Sequence, residues 1–263
     1  MTEPVLLDPP QGGVARIRLN RPEASNGLDV PLLRALNDAI LACHADPATR
    51  VVLLTGEGPN FCAGGDVKTF ASKGEALPDY LREATAWLQV ATSSLLRLKA
   101  PVVAGVHGFA AGGGGLGLVC AADFVVATRS ARIFSGAVRV GMAPDGGSSV
   151  TLAQIVGARK AMELLLLNPT LTAEEAMEIG LVNTVVEDDN LEAAVLDLAG
   201  RLATLPPRAV AATKRLVWDG LGAPVEARLG EEARVVSELS GTHDAREGLA
   251  AVIERRPAEF TGA

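Results

Sequence analysis

Two short, wholly apolar segments, residues 51–54 and 102–106, each lead into a glycine-rich turn. A strand that is apolar at every position must be covered on both faces, as in a parallel sheet flanked by helices. The first turn reads Phe61-Cys62-Ala63-Gly64-Gly65-Asp66, and the second reads His107-Gly108-Phe109-Ala110-Ala111-Gly112-Gly113-Gly114-Gly115. Glycine lacks a Cβ, so another molecule can approach the backbone closely and positive φ becomes accessible. Two such turns at strand ends can direct two peptide N–H groups at one oxygen, which is how an oxyanion hole is built. The pattern points to chemistry at a carbonyl rather than at a metal or a phosphate.

The rest of the chain reads as an α/β protein. Ala15, Ile17 and Leu19 alternate with Arg16 and Arg18, the period of a strand. Asp29 is placed to cap a helix over 30–44, with Leu33, Leu36, Ile40 and Cys43 on one stripe. The polar stretch 72–78 reads as a loop, and a helix is expected over 79–98. A short helix after the second glycine turn and a strand over 124–127 follow. Strand, glycine turn and helix thus recur, which implies a mainly parallel sheet with crossover helices. From residue 149 the chain reads as largely helical. Thr172 to Glu175 form a capping box and Gly180 a stop. Further helices are expected over 191–204, 208–218, 224–239 and 243–254. Leu205-Pro206-Pro207 divides a core, 1–205, from a helical appendage, 206–263.

Composition narrows the partners. The net charge is −7 without a basic block, which argues against nucleic acid and anionic membrane. No apolar run reaches the ~18 residues of a membrane span, and residues 1–4 lack the pattern of a signal peptide. The three cysteines (Cys43, Cys62, Cys120) and three histidines (His44, His107, His243) lack metal-ligand spacing, so no metal is expected. A reduced cytoplasmic setting fits that cysteine usage. Cys62 reads as a small buried residue, His107 as a satisfied strand-end residue, and the charged run 228–232 as a solvated helix face.

The ordered motifs resemble the crotonase superfamily, also called the enoyl-CoA hydratase/isomerase family. They are Leu19-Asn20-Arg21-Pro22-Glu23-Ala24, the two glycine turns, Ala122-Asp123-Phe124, Gly141-Met142-Ala143-Pro144-Asp145-Gly146-Gly147 and the segment 172–182. The resemblance implies a spiral of repeated ββα units with C-terminal helices, a trimer or hexamer, and acyl-CoA thioester substrates, with coenzyme A as part of the substrate and no separate cofactor. It implies oxyanion donors at the N–H of Gly65 and of Gly113 or Gly114. It places Ala24, Ala63, Asp66 and Lys68 at the adenine and ribose-phosphate end of coenzyme A.

Two departures bear on mechanism. Hydratases of the family carry one glutamate just past the second glycine turn and another four residues before Gly141. This chain has Leu116 or Gly117 at the first place and Ala137 at the second. Water addition needs one group to activate water and usually another to protonate carbon. Asp145 remains, at a position where isomerases resembling ring-1,2-epoxyphenylacetyl-CoA isomerase carry a catalytic aspartate. One base suffices for a double-bond shift. The expectation is therefore enoyl-CoA isomerisation with Asp145 as proton shuttle, with hydration or non-catalytic acyl-CoA binding as alternatives. Asp145 also suits an ordinary turn, since Asp before Gly is common there. Gly112 to Gly117 also fits the dinucleotide fingerprint G-x-G-x-x-G, but Arg132 stands where an acidic residue is expected. Lys214 reads as an exposed helix lysine, or one that reaches a coenzyme A phosphate. Leu216, Leu221, Val225 and Phe260 are expected to pack against a neighbouring subunit.

Overall fold

The computed structural model describes residues 3–263. In chain order the elements are β1 (Val5–Gln11), β2 (Val14–Leu19), α1 (Val30–Ala45), β3 (Val51–Gly56), α2 (Val67–Ser72), α3 (Leu77–Arg97), β4 (Val102–Val106), β5 (Phe109–Ala111) and α4 (Gly112–Ala121). They continue with β6 (Phe124–Thr128), β7 (Arg132–Phe134), α5 (Ser148–Val156), α6 (Ala158–Met162), β8 (Leu171–Thr172), α7 (Ala173–Glu178) and β9 (Thr184–Val186). Four helices close the chain: α8 (Leu191–Ala203), α9 (Pro207–Gly220), α10 (Val225–Ser240) and α11 (His243–Glu254).

The main sheet has six strands in the order β1-β2-β3-β4-β6-β9. Only the β1–β2 pair is antiparallel. A second sheet, β5-β7-β8, stands apart from it. The chain passes from one sheet to the other at Gly108, whose φ is +55°. A Cβ at Gly108 would stand 2.0 Å from the carbonyl oxygen of Pro59, so this crossing requires glycine.

The apolar strands are explained by what covers them. On one face Val52, Leu54, Val102 and Ala104 pack into a core with α1, α3 and α4. On the other, Val51, Leu53, Val103 and Val126 pack against Val195, Ala199 and Ala203 of α8. Asp29 caps α1, accepting from the Leu32 N–H at 2.9 Å, and Leu33, Leu36, Ile40 and Cys43 turn inward. Truncating one such fully buried leucine to alanine typically costs ~2–5 kcal/mol.

Several expectations are corrected. The stretch 72–78 is not an open loop: Gly74–Ala76 form a single 3-10 turn, and α3 begins at Leu77 with Pro78 in its first turn. Proline there removes only an N–H that the helix leaves unpaired anyway. Residues 5–11 form an edge strand despite Pro9 and Pro10, and 184–186 add a strand in the helical half. Lys214 is neither exposed nor available to phosphate. It is buried, paired with Asp123 at 2.7 Å, and donates to the carbonyls of Leu95 and Ala100. Phe260, expected at a neighbouring subunit, is half-buried and lies beside Gly248 of α11 within its own chain, which does not bear on that expectation; its carbonyl accepts from Arg50.

Candidate active site

Both glycine turns lie at one end of the sheets and touch each other. A Cβ on Gly64 would stand 2.6 Å from the Ala111 carbonyl oxygen and 2.8 Å from the Gly112 Cα. A Cβ on Gly112 would stand 2.9 Å from the Gly64 Cα. Gly64 and Gly112 have φ of +93° and +66°. Close approach and positive φ thus select glycine at both positions.

This contact brings two sets of free N–H donors together. The neighbours of Gly65 are spent on scaffolding: the Gly64 carbonyl accepts from Leu28, and the Asp66 N–H donates to the Leu28 carbonyl. Among the described residues the Gly65 N–H has no such partner. Gly112 is the first residue of α4, and no side chain caps that helix. Its first N–H groups, including those of Gly113 and Gly114, therefore lack intrahelical acceptors. The helix also points its positive end outward here, where negative charge is favoured.

Asp145 lies directly against this point. A Cβ on Gly113 would fall 1.6 Å from Asp145 Oδ1 and 2.9 Å from its backbone nitrogen. Glycine is thus needed at 113 to admit the carboxyl group. The aspartate is half-buried, and burial pushes its carboxyl above the ordinary range against a weaker opposing effect of its own backbone N–H. Its turn is fixed from behind. The Asp145 carbonyl accepts from Ser148 Oγ at 2.7 Å, and the Gly146 carbonyl accepts from Thr92 Oγ1 at 3.3 Å. Leu116 and Gly117, either of which stands at the first expected glutamate position, and Ala137 at the second are all buried and carry no ionisable group.

The residues expected at the nucleotide end are distributed as follows. Ala24 ends a single 3-10 turn, and its carbonyl accepts from the Gly27 N–H. Ala63 is half-buried, and its N–H donates to Ser25. Asp66 caps α2 through the Thr69 N–H and pairs with Arg21 at 3.1 Å. Burial alone would raise the Asp66 pKa, but the Thr69 bonds and Arg21 outweigh it and hold the group below its ordinary value. Lys68 is exposed on α2. Asp66 therefore orders the turn that carries Gly65, a role its place before an apolar helix signals.

The two nearby candidate nucleophiles are inert or already bonded. Cys62 is fully buried and its thiol is pushed up to about 12 by burial. His107 Nε2 is bonded to the Gly58 carbonyl at 2.9 Å. Among the described residues no cluster of three His, Cys, Asp or Glu could hold a metal ion. A separate cleft, lined by Val119, Ile155, Leu181, Trp218 and Leu221, lies at the far end of α4. Its one carboxylate, Asp123, is already engaged by Lys214 and Trp218.

Adjacent glycine turns with free N–H groups beside a carboxyl group are suited to chemistry at a carbonyl, and comparison with known proteins identifies the family. Residues 10–263 match the family model for enoyl-CoA hydratase/isomerase. A probable enoyl-CoA hydratase of Rhodobacter capsulatus is 38% identical over 250 residues, covering 95% of each chain. The 1,2-epoxyphenylacetyl-CoA isomerase of Escherichia coli is 33% identical over 260 residues, covering 98% of each. The crystal structure of an enoyl-CoA hydratase from Bacillus anthracis superposes with a TM-score of 0.93 at 31% identity, covering 99% of this chain and all of that one. The chain belongs to the enoyl-CoA hydratase/isomerase family. It has the crotonase fold with C-terminal helices, and it is an acyl-CoA enzyme of the isomerase/hydratase type.

Proposed function

We propose that this enzyme shifts the double bond of an enoyl-CoA, with Asp145 as the single base. The observation that carries the proposal is the contact between the Asp145 carboxyl and Gly113, at the free N-terminus of α4 and beside Gly65. In this reading the thioester oxygen sits between the N–H groups of Gly65 and Gly113. Gly114, whose N–H is also free at the start of α4, is the alternative second donor. Asp145 removes a proton from one carbon, and the two N–H groups stabilise the enolate. The same carboxyl returns the proton two carbons away. Burial makes it a stronger base than an exposed aspartate, which brings its pKa nearer to working pH. Coenzyme A enters as part of the substrate, and the chemistry calls for no resident cofactor.

Hydration is the second reading, favoured by relatives such as the Rhodobacter protein. Leu116 or Gly117 at one place and Ala137 at the other oppose it, since none of them can activate water or protonate carbon. A panel of 2-enoyl-, 3-enoyl- and aryl-CoA thioesters separates the two. Isomerisation leaves the mass unchanged and alters absorbance, whereas hydration adds one water. Efficient hydration of crotonyl-CoA would reverse our order.

We also propose that the enzyme works in the cytoplasm as a trimer or a multiple of it. No helix among the described residues is long and apolar enough to cross a membrane. Val235 is the one buried residue of α10, while Val225, Leu229 and Val236 are exposed on it, as is Leu221 just before. Leu216 is only half-buried. A second copy would cover these residues. Light scattering should report a threefold mass, and a clean monomer at micromolar concentration would contradict the assembly.

A further inference from the structure

We propose that two buried asparagines, Asn26 and Asn60, are positioning residues that brace the two oxyanion donors against each other. The inference rests on the oxyanion-hole reading above and adds to it the parts that set its geometry.

Asn26 is fully buried and has a left-handed backbone, with φ of 54°. Asparagine tolerates that region better than most residues. Its Nδ2 and its carbonyl reach across the chain, while its Oδ1 and its own N–H hold Arg21, five residues earlier. Nδ2 donates to the carbonyls of Glu57 and Asn60, at 2.9 and 2.7 Å. Oδ1 accepts from the Arg21 N–H at 2.8 Å. Its own carbonyl accepts from the Cys62 thiol at 3.3 Å. One residue thereby joins the 20–27 turn to both ends of the segment that enters the first glycine turn.

Asn60 continues the brace. Its carbonyl receives Asn26, and its Oδ1 accepts from the Phe109 N–H at 2.9 Å. Phe109 begins β5, which runs straight into Gly112 and α4. The approach is tight: a Cβ on Gly108 would stand 2.6 Å from Asn60 Oδ1. The path Asn26–Asn60–Phe109 therefore links the turn carrying Gly65 to the strand that aims Gly113. Neither asparagine is among the residues that meet substrate in the reading above. Both act through where they hold the N–H groups.

A donor displaced by ~1 Å is known to lower rate by ~10²-fold. Losing an interaction made only in the transition state lowers kcat without a matching change in KM. Asn26→Gly keeps the left-handed backbone and removes the clamp. Asn60→Ala removes only the tie to Phe109. The two variants break the brace at different points, so one carries the test if the other fails to fold.

The experiment measures kcat and KM for the preferred enoyl-CoA. It also records the infrared stretch of a ¹³C-labelled thioester carbonyl in bound butyryl-CoA. In the wild type the stretch should fall on binding, because two N–H groups polarise the bond. In either folded variant kcat should drop by ~10²-fold with KM within roughly threefold, and the stretch should return toward its value in water. A merely structural role would lower melting temperature without moving the carbonyl band. Wild-type kcat and band position in a folded variant would overturn the brace. So would a reduced kcat with an unmoved band. Absence of any band shift in the wild type would instead overturn the oxyanion hole itself, which keeps the two failures distinct.

Discussion

Gly113→Ala tests the placement of Asp145 at the smallest chemical scale. The added methyl would stand 1.6 Å from Asp145 Oδ1, whereas ordinary contact begins near 3.4 Å. The oxygen must therefore retreat by the difference, 3.4 − 1.6, or about 1.8 Å. Rotating the side chain is not enough, because the methyl also stands 2.9 Å from the Asp145 nitrogen. A misplacement of ~1 Å can already lower rate by ~10²-fold, so at least that loss is expected in kcat. Stability should change far less. Alanine in place of glycine in a helix contributes ~1 kcal/mol, and overpacking costs ~1–3 kcal/mol. The net loss is then between about 0 and 2 kcal/mol. Gly114→Ala is the control. Its methyl meets Leu28 Cδ1 at 2.3 Å rather than Asp145, so it overpacks the same turns without displacing the carboxyl group. Steady-state turnover of an enoyl-CoA and a thermal melt of each variant are the assays. Wild-type kcat in a folded Gly113→Ala protein would refute the reasoning.

Other consequences follow from packing and charge. Gly230 lies within α10 and a Cβ there meets nothing within 4 Å; Gly230→Ala should add ~1 kcal/mol and raise Tm by ~2–4 °C in a thermal melt. Lys214→Met strands the Asp123 carboxylate against Trp218 and the Val102 N–H; loss of one partner of a buried pair costs ~3–5 kcal/mol, to be read from urea unfolding. Stability should also depend on pH through Asp145, whose folded-state pKa is raised chiefly by burial. Below the ordinary value of ~3.9 the carboxyl is neutral both folded and unfolded, and its contribution is fully present. As pH rises through the raised folded value that contribution is lost. Wild type should therefore lose stability relative to Asp145→Asn across that window, and parallel curves would contradict it.

Much of the architecture was legible because the signals were local. Asp29, the capping box at Thr172 and the 3.6-residue stripes mark helices whose observed bounds lie within a few residues of the expected ones. The apolar runs at 51–54 and 102–106 announce strands covered on both faces, and both clusters of the core are there. What was missed depends on partners far away in sequence. Residues 5–11 form a strand because β2 pairs with them, although Pro9 and Pro10 speak against one. The strand 184–186 exists because β6 offers an edge. Lys214 looked exposed on a helical wheel, since nothing local reveals Asp123, 91 positions earlier in number, as its partner. At the site, glycine content and Asp145 were visible from the motifs. The tie between the turns was not, because Asn26 and Asn60 bond distant backbone groups that no side-chain pattern encodes.

The central claim is that one carboxyl, Asp145, moves the proton. The direct test is exchange of substrate α- or γ-protons for deuterium in heavy water, followed by NMR, in wild type and Asp145→Asn. The variant keeps shape and removes the base. With binding of the coenzyme A ester retained and Tm equal to or above that of wild type, exchange and the double-bond shift should both be abolished. Exchange and isomerisation at the wild-type rate in the asparagine variant would contradict the account and leave Asp145 as a residue of its turn.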